Sequence, residues 1–362
     1  DANGCAGTPK SFSIVVNPTP DVAQPADQTL CNNSSTAAII FSGSVNSTVY
    51  SWTNSNTNIG LAASGTGSIP SFTVNTNSNT TQTAVITVTP SVNGCTGSPK
   101  SFTITVNPVP SFAQPANQTL CNNSMTNAVN FGGAVSGTTY NWTNSNPSIG
   151  LAASGSGNIS SFNAVTNGTV ITTATISVSP FANGCSGTPK SFTIAVKPTP
   201  DVQQPADQTL CSNTNTAPVI FSGAVANTTY NWTNNNTNIG LAGSGSGNIA
   251  SFNTSAANAI VVQSSTITVT PTANGCPGLP KSFNITVNPT PAVTLVSNQS
   301  LCNDAYTNAI VFAGPVAGTA YNWTNTNTTV GLAANGIGDI ASFKATNTTA
   351  AAITATIKID PV

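Results

Sequence analysis

The chain has 362 residues and almost no ionisable groups: 8 Asp, 7 Lys, no Glu, no Arg and no His, for a net charge of −1. General acid–base catalysis and base-assisted nucleophilic attack both need tuned titratable side chains, so no enzyme and no cofactor are expected. Near-neutrality excludes the basic face that nucleic acid demands, and no apolar run approaches the ~20 residues that span a bilayer.

Hydrophobic residues make up 38% of the chain. They alternate along it, which separates the chain from a disordered polar tract. The sequence repeats with a period near ninety. One cysteine series is Cys5, Cys95, Cys185 and Cys276; a second is Cys31, Cys121, Cys211 and Cys302. Such a period marks tandem domains. The expected boundaries are 1–18 for the last strand of a preceding domain, then repeats at 19–108, 109–198, 199–289 and 290–362, the fourth lacking its last strand.

In chain order, a repeat opens on Pro18-Thr19-Pro20, an extended and semi-rigid junction that recurs at Pro108-Pro110, Pro198-Pro200 and Pro289-Pro291. Ile39–Phe41 reads as a strand whose middle residue faces out. Tyr50-x-Trp52 is a strand with both rings on one face, and the counterparts of its Trp are Trp142, Trp232 and Trp323. These four indoles are read as core. Gly65-x-Gly67 reads as a flexible turn, since a phosphate loop would need a following helix. Thr83–Thr89 points Ala84, Ile86 and Val88 inward, and Lys100–Val106 does the same with Phe102, Ile104 and Val106. About seven strands fit between Val22 and Val106, and no helical periodicity appears. The fold class is therefore all-β: a tandem array of four Ig-like antiparallel β-sandwiches forming an extended rod. The extra residue of the third repeat is placed between Phe252 and Ile267.

The other candidate sites are weak. Asp21 and Asp27 could suggest calcium, but their counterparts are Ser111, Asp201, Ala292 and Asn117, Asp207, Asn298. A calcium site wants several carboxylates, so turn and cap roles are expected and no metal is. Lys10, Lys100, Lys190 and Lys281 have no recurring acid beside them for an isopeptide bond. Sequons at Asn46, Asn79, Asn141 and Asn231 arise readily in an Asn- and Thr-rich chain.

The run Asn17–Ala23, then Ala26–Leu30, then Ile39–Ser44 resembles the opening of a polycystic-kidney-disease (PKD) domain. Tyr50-x-Trp52 and Asn93-Gly94-Cys95 are similar to the cysteine-containing PKD-like and Ig-like repeats of Bacteroidota surface proteins, giant gliding-motility adhesins among them. Trp52-Thr53-Asn54-Ser55 stands where PKD domains carry Trp-Asp-Phe-Gly-Asp-Gly. The resemblance implies an extracellular protein on the bacterial cell surface, secreted by the type IX pathway.

Two cysteines per repeat, without His, indicate structural disulfides and an oxidising compartment. Two pairings stay open. Cys31–Cys95 would close one repeat. On an Ig-like path, however, Cys31 belongs at the C-terminal pole and Cys95 at the N-terminal pole, ~20 Å apart. That separation favours staples between neighbours, Cys31–Cys185 and Cys121–Cys276, with the other cysteines pairing beyond this chain.

Function is accordingly expected to be structural: a stalk or filament segment of a large surface adhesin. Its partners would be neighbouring repeats of the same protein or further copies end to end. The alternatives are a carbohydrate-binding repeat, with surface glycans as partners, and a subunit assembled by donor-strand exchange. In the last case residues 1–18 would complete the fourth sandwich of another copy.

Overall fold

Alternation along the chain decides which segments become strands. The computed structural model describes residues 3–254 and 260–362. In the first repeat the strands are β1 (Gln28–Cys31), β2 (Val49–Asn54), β3 (Ser64–Thr66), β4 (Gln82–Val92), β5 (Cys95–Thr96) and β6 (Lys100–Asn107). They form one sheet in the order β1-β6-β4-β2-β3, with β5 beside β4. β4 and β6 run antiparallel, Ile86 opposite Phe102 and Ala84 opposite Ile104. These four residues are buried together with Val88 and Val106, and Val22, Phe41, Trp52, Ile59, Ile69 and Val74 close over them. Burying one large aliphatic or aromatic side chain stabilises by about 1.5–3 kcal/mol, so this face of period two drives the fold.

Two features differ from expectation. β1 runs parallel to β6, Cys31 opposite Asn107, so the sheet is not purely antiparallel. The opposite layer is thinner than a full sheet: the expected strand at Ile39–Phe41 is reduced to isolated bridges, Ile39 to Ile69 and Ser35 to Thr73. Six strands therefore stand where about seven were expected. The cause is local. Buried Thr36 accepts from Phe72 N at 3.1 Å through its hydroxyl, while Ser71 Oγ donates to Thr36 O at 2.5 Å. Side chains thus take bonds that a ladder would otherwise use. Ile39 and Phe41 still face inward and Ile40 outward.

The plan recurs. The second repeat has β7 (Gln118–Cys121), β8 (Ser124–Met125), β9 (Thr139–Asn144), β10 (Ser154–Ser156), β11 (Asn163–Ala164), β12 (Thr172–Ala182), β13 (Cys185–Ser186) and β14 (Lys190–Lys197). Its main sheet is ordered β10-β9-β12-β14-β7, and β11 pairs with β8. The third has β15 (Gln208–Cys211), β16 (Thr229–Asn234), β17 (Ser244–Ser246), β18 (Gln263–Ala273), β19 (Cys276–Pro277) and β20 (Lys281–Asn288). The fourth has β21 (Tyr321–Asn325), β22 (Asn335–Ile337) and β23 (Ile357–Pro361), three strands in the order β22-β21-β23. The chain is thus an all-β tandem array of four sandwich repeats. Among the described residues the only helical turns are four short 3-10 turns such as Thr57–Ile59. The segment expected to hold the extra residue of the third repeat includes 255–259, outside the described residues.

By compactness the chain divides into two units. One runs up to Thr166 and includes Ile171–Val196; the other is Asn167–Val170 with Lys197–Val362.

Candidate functional site: the stapled junction

The junction that follows the first repeat is built from strand ends. Cys31 closes β1 opposite Asn107, the last residue of β6. Asn32 N donates to Asn107 O at 2.9 Å, which fixes both strands where the chain leaves the repeat. The Asn107 amide then donates to Asn183 O at 2.8 Å. Asn183 and Gly184 both have left-handed backbones, φ 50° and 81°. They make the two-residue hairpin turn between β12 and β13, a geometry that Asn-Gly favours. Cys185 follows the turn directly.

Cys31 and Cys185 are joined by a disulfide, with S–S 2.00 Å and Cα–Cα 5.7 Å. The bond ties the first repeat to the second. Cys95, the within-repeat alternative partner of Cys31, is a free thiol, as are Cys5, Cys211 and Cys302. Cys121 and Cys276 are held in disulfides.

The polar contact recurs at other junctions. Asn17 Nδ2 donates to Asn93 O at 3.3 Å, and Lys197 Nζ donates to Asn274 O at 2.8 Å. Three of the four Pro-x-Pro segments also meet a glycine. A Cβ on Gly97, Gly187 or Gly278 would collide with the carbonyl of Pro20, Pro110 or Pro200 respectively. Pro20, Pro110 and Pro200 are buried, so each of these junctions packs against the hairpin of the following repeat.

The Gly-x-Gly pairs need correction. Gly65 is not a flexible turn residue: it lies in β3 opposite Trp52, under the indole, where a Cβ has no room. Gly67 alone takes the left-handed backbone, at φ 74°. Trp52, Trp142, Trp232 and Trp323 are all buried, each at 7–8% exposure, so no indole forms an open platform. A shallow groove is lined by Trp142 and Gly155 together with the polar residues Asn141, Thr143, Ser154, Ser156, Ser177 and Ser179.

The aspartates act as backbone acceptors. Asp27 Oδ1 accepts from Thr103 N at 2.6 Å, Asn117 from Thr193 N at 2.8 Å, and Asp207 from Asn284 N at 2.7 Å. The position needs an oxygen rather than a charge, which explains why Asp and Asn alternate there. Asp21 accepts from both the amide and the hydroxyl of Ser44, and those bonds hold its carboxyl below the usual 3.8. The Thr103 amide does the same for Asp27. Burial raises the Tyr50 phenol, with the charge of Asp21 adding to it. Lys190 donates to Phe112 O at 2.6 Å and lies over the Phe112 ring. Among the described residues no group of three or more His, Cys, Asp or Glu could hold a metal ion, and no helix is long and apolar enough to cross a membrane.

Residues 28–110 match the family model of a PKD-like domain. The match runs from the start of β1 to the second proline of the next junction. No curated protein matches the chain. Among solved structures, a three-immunoglobulin fragment of titin (domains I67–I69, a mutated variant) aligns at 10% identity and TM-score 0.45, covering 74% of this chain and 98% of that one. Sidekick-1 immunoglobulin domains 1–5 align at 15% identity and TM-score 0.31, covering 75% and 59%. Mouse cadherin-23 EC22–24 aligns at 10% identity and TM-score 0.33, covering 76% and 100%.

Sequence reasoning passed over Gly97, Asn107 and Thr36 of the first repeat. A signal was available: Gly97 recurs as Gly187 and Gly278, and Thr36 as Thr126, Thr216 and Thr307. Identity maintained across internal copies, at positions outside the alternating pattern, marks a close approach or a side-chain bond.

Proposed function

We propose that this chain is a structural segment of a large adhesin on the outer surface of a bacterium, in which PKD-like repeats are linked covalently to supply reach and resistance to pulling. The single observation that carries the reading is the Cys31–Cys185 disulfide, which joins one repeat to the next instead of closing a repeat on itself. A bond so placed adds little to the core of either repeat; it holds neighbours together. It also requires the oxidising conditions found outside the cytoplasm. The partners are the neighbouring repeats, at 19–108, 109–198, 199–289 and 290–362. Burial of the four indoles weighs against the glycan-binding alternative, because sugars stack on exposed rings.

Stretching single chains between their ends in oxidising and in reducing buffer tests the reading. Oxidised chains should withhold the contour between Cys31 and Cys185, and reduced chains should release it. Equal extension in both buffers would remove the load-bearing role.

A further inference from the structure

Cys31 and Cys185 stand 154 residues apart in the chain, although nearer choices exist. Cys95 and Cys121 both lie between them. The cost of closing a flexible loop grows as (3/2)RT ln n. An unfolded chain therefore closes Cys31–Cys95 about four times, and Cys95–Cys121 about fourteen times, more readily than Cys31–Cys185.

The fold reverses that order. Cys31 ends β1 opposite Asn107, the last residue of β6. Cys95 sits in β5 opposite Val92, at the hairpin that leads into Lys100, the first residue of β6. The two thiols thus occupy opposite ends of an eight-residue strand, about 23 Å apart, whereas a disulfide needs Cα atoms within about 7 Å. Cys121 closes β7 beside β14 in the second repeat, so the length of β6 separates it from Cys95 as well. Cys185 is within reach of Cys31. It follows the turn whose Asn183 carbonyl accepts from Asn107 at 2.8 Å, and its Cα is 5.7 Å from that of Cys31. The two linked residues are also unequal. Cys185 is 1% exposed, whereas Cys31 is half-buried, so a reagent in solution meets the bond at Cys31.

We propose that the Cys31–Cys185 staple is made after both repeats have folded, by a thiol–disulfide oxidant that enters at Cys31, so that the fold is the template that selects the pair. The Cys31 thiolate attacks the disulfide of the oxidant; a mixed disulfide forms on Cys31 and one thiol leaves. The Cys185 thiolate then attacks the Cys31 sulfur and expels the second thiol. Two electrons and two protons pass from the cysteine pair to the oxidant, which ends as two thiols. The partner is therefore a disulfide carrier that works on a folded surface. An oxidant that met the chain unfolded would fix Cys95–Cys121 and Cys31–Cys95, and neither link is compatible with β1 paired along β6. The inference rests on where the cysteines stand in the first two repeats and holds whether or not the staple bears load.

The test uses the full chain, with oxidised glutathione as the oxidant. One portion is reduced and reoxidised in native buffer, a second in concentrated guanidinium, and non-reducing peptide mapping reads the links. Native reoxidation should restore Cys31–Cys185 without Cys31–Cys95. The denatured portion should give Cys95–Cys121 over Cys31–Cys185 by about fourteenfold. Circular dichroism should show that the reduced chain keeps its sheets before oxidant is added; loss of the fold on reduction would overturn the proposal. So would native reoxidation that yields Cys31–Cys95, or a denatured portion in which Cys31–Cys185 dominates. The route is read in reverse by exposing the native protein briefly to reduced glutathione and quenching with acid. Glutathione should be found on Cys31 and not on Cys185, and an equal split would rule out entry at Cys31.

Discussion

Gly65 lies beneath the indole of Trp52, its partner across the β2–β3 ladder, and a Cβ there would fall inside contact distance of Cζ2, Cε2 and Cη2. Gly155, Gly245 and Gly336 hold the same relation to Trp142, Trp232 and Trp323. Gly65→Ala should therefore destabilise the first repeat by about 1–3 kcal/mol, the usual cost of forced overpacking. Adding Trp52→Phe should recover part of the loss, because the smaller ring frees the space. Urea unfolding of the single and double variants reads both effects; an unshifted midpoint for Gly65→Ala would show that the ring yields.

Removing the staple should weaken the chain through its unfolded state. Cys31 and Cys185 are 154 residues apart, and a loop of that length corresponds to about 5 kcal/mol in the chain-entropy account, with about 2–4 usual in practice. Cys31→Ser should lower the denaturant midpoint of the first two repeats, and a reductant should do the same to the wild type but not to the variant. A midpoint insensitive to dithiothreitol would contradict this.

The junction bond tolerates either an amide or an ammonium, since Asn107 donates to Asn183 O and Lys197 to Asn274 O. Asn107→Lys should keep the donation to Asn183 O and give up only the exposed bond that Asn107 Oδ1 accepts from Thr81 Oγ1 at 2.9 Å, whereas Asn107→Leu loses both and should cost about 0.5–1.5 kcal/mol more, the range for a single hydrogen bond. Thermal unfolding of the two variants side by side distinguishes donation from mere bulk.

Acid should loosen the first repeat. Asp21 and Asp27 are held below 3.8 by bonds to Ser44 and Thr103. A folded-state pKa below the unfolded one contributes stability that is fully present above the unfolded value. That contribution is lost as pH falls through the folded value. Stability should thus be flat near neutrality and decline below about pH 4. Asp27→Asn, which keeps the acceptor as Asn117 does, should flatten its share of the decline without weakening the fold at pH 7. Unfolding measured from pH 7 to 2 would show both.

The strands that carry the core were legible because period two writes itself into the sequence: Ala84, Ile86, Val88, Phe102, Ile104 and Val106 all lie inside. The opposite layer was less so. Ile39 and Phe41 alternate as a strand does, yet side chains such as Thr36 and Ser71 take up backbone bonds there, and alternation reports burial rather than hydrogen bonding. The parallel run of β1 was hidden for a similar reason, since side-chain pattern fixes a face and not a direction. Gly65 was read as loose because glycine signals both freedom and crowding, and only the ring above it tells them apart. The Asp/Asn exchange at 27, 117 and 207 was read as a turn or cap position, but the acceptor that unites them shows only in space.

The Cys31–Cys185 bridge has one more consequence, for survival after damage. A protease that severs the backbone anywhere from residue 32 to 184 opens a peptide bond without parting the molecule, because the sulfur link spans the wound. The exposed stretch around Asn77–Thr80 can be nicked and the two pieces still travel as one until a reductant arrives.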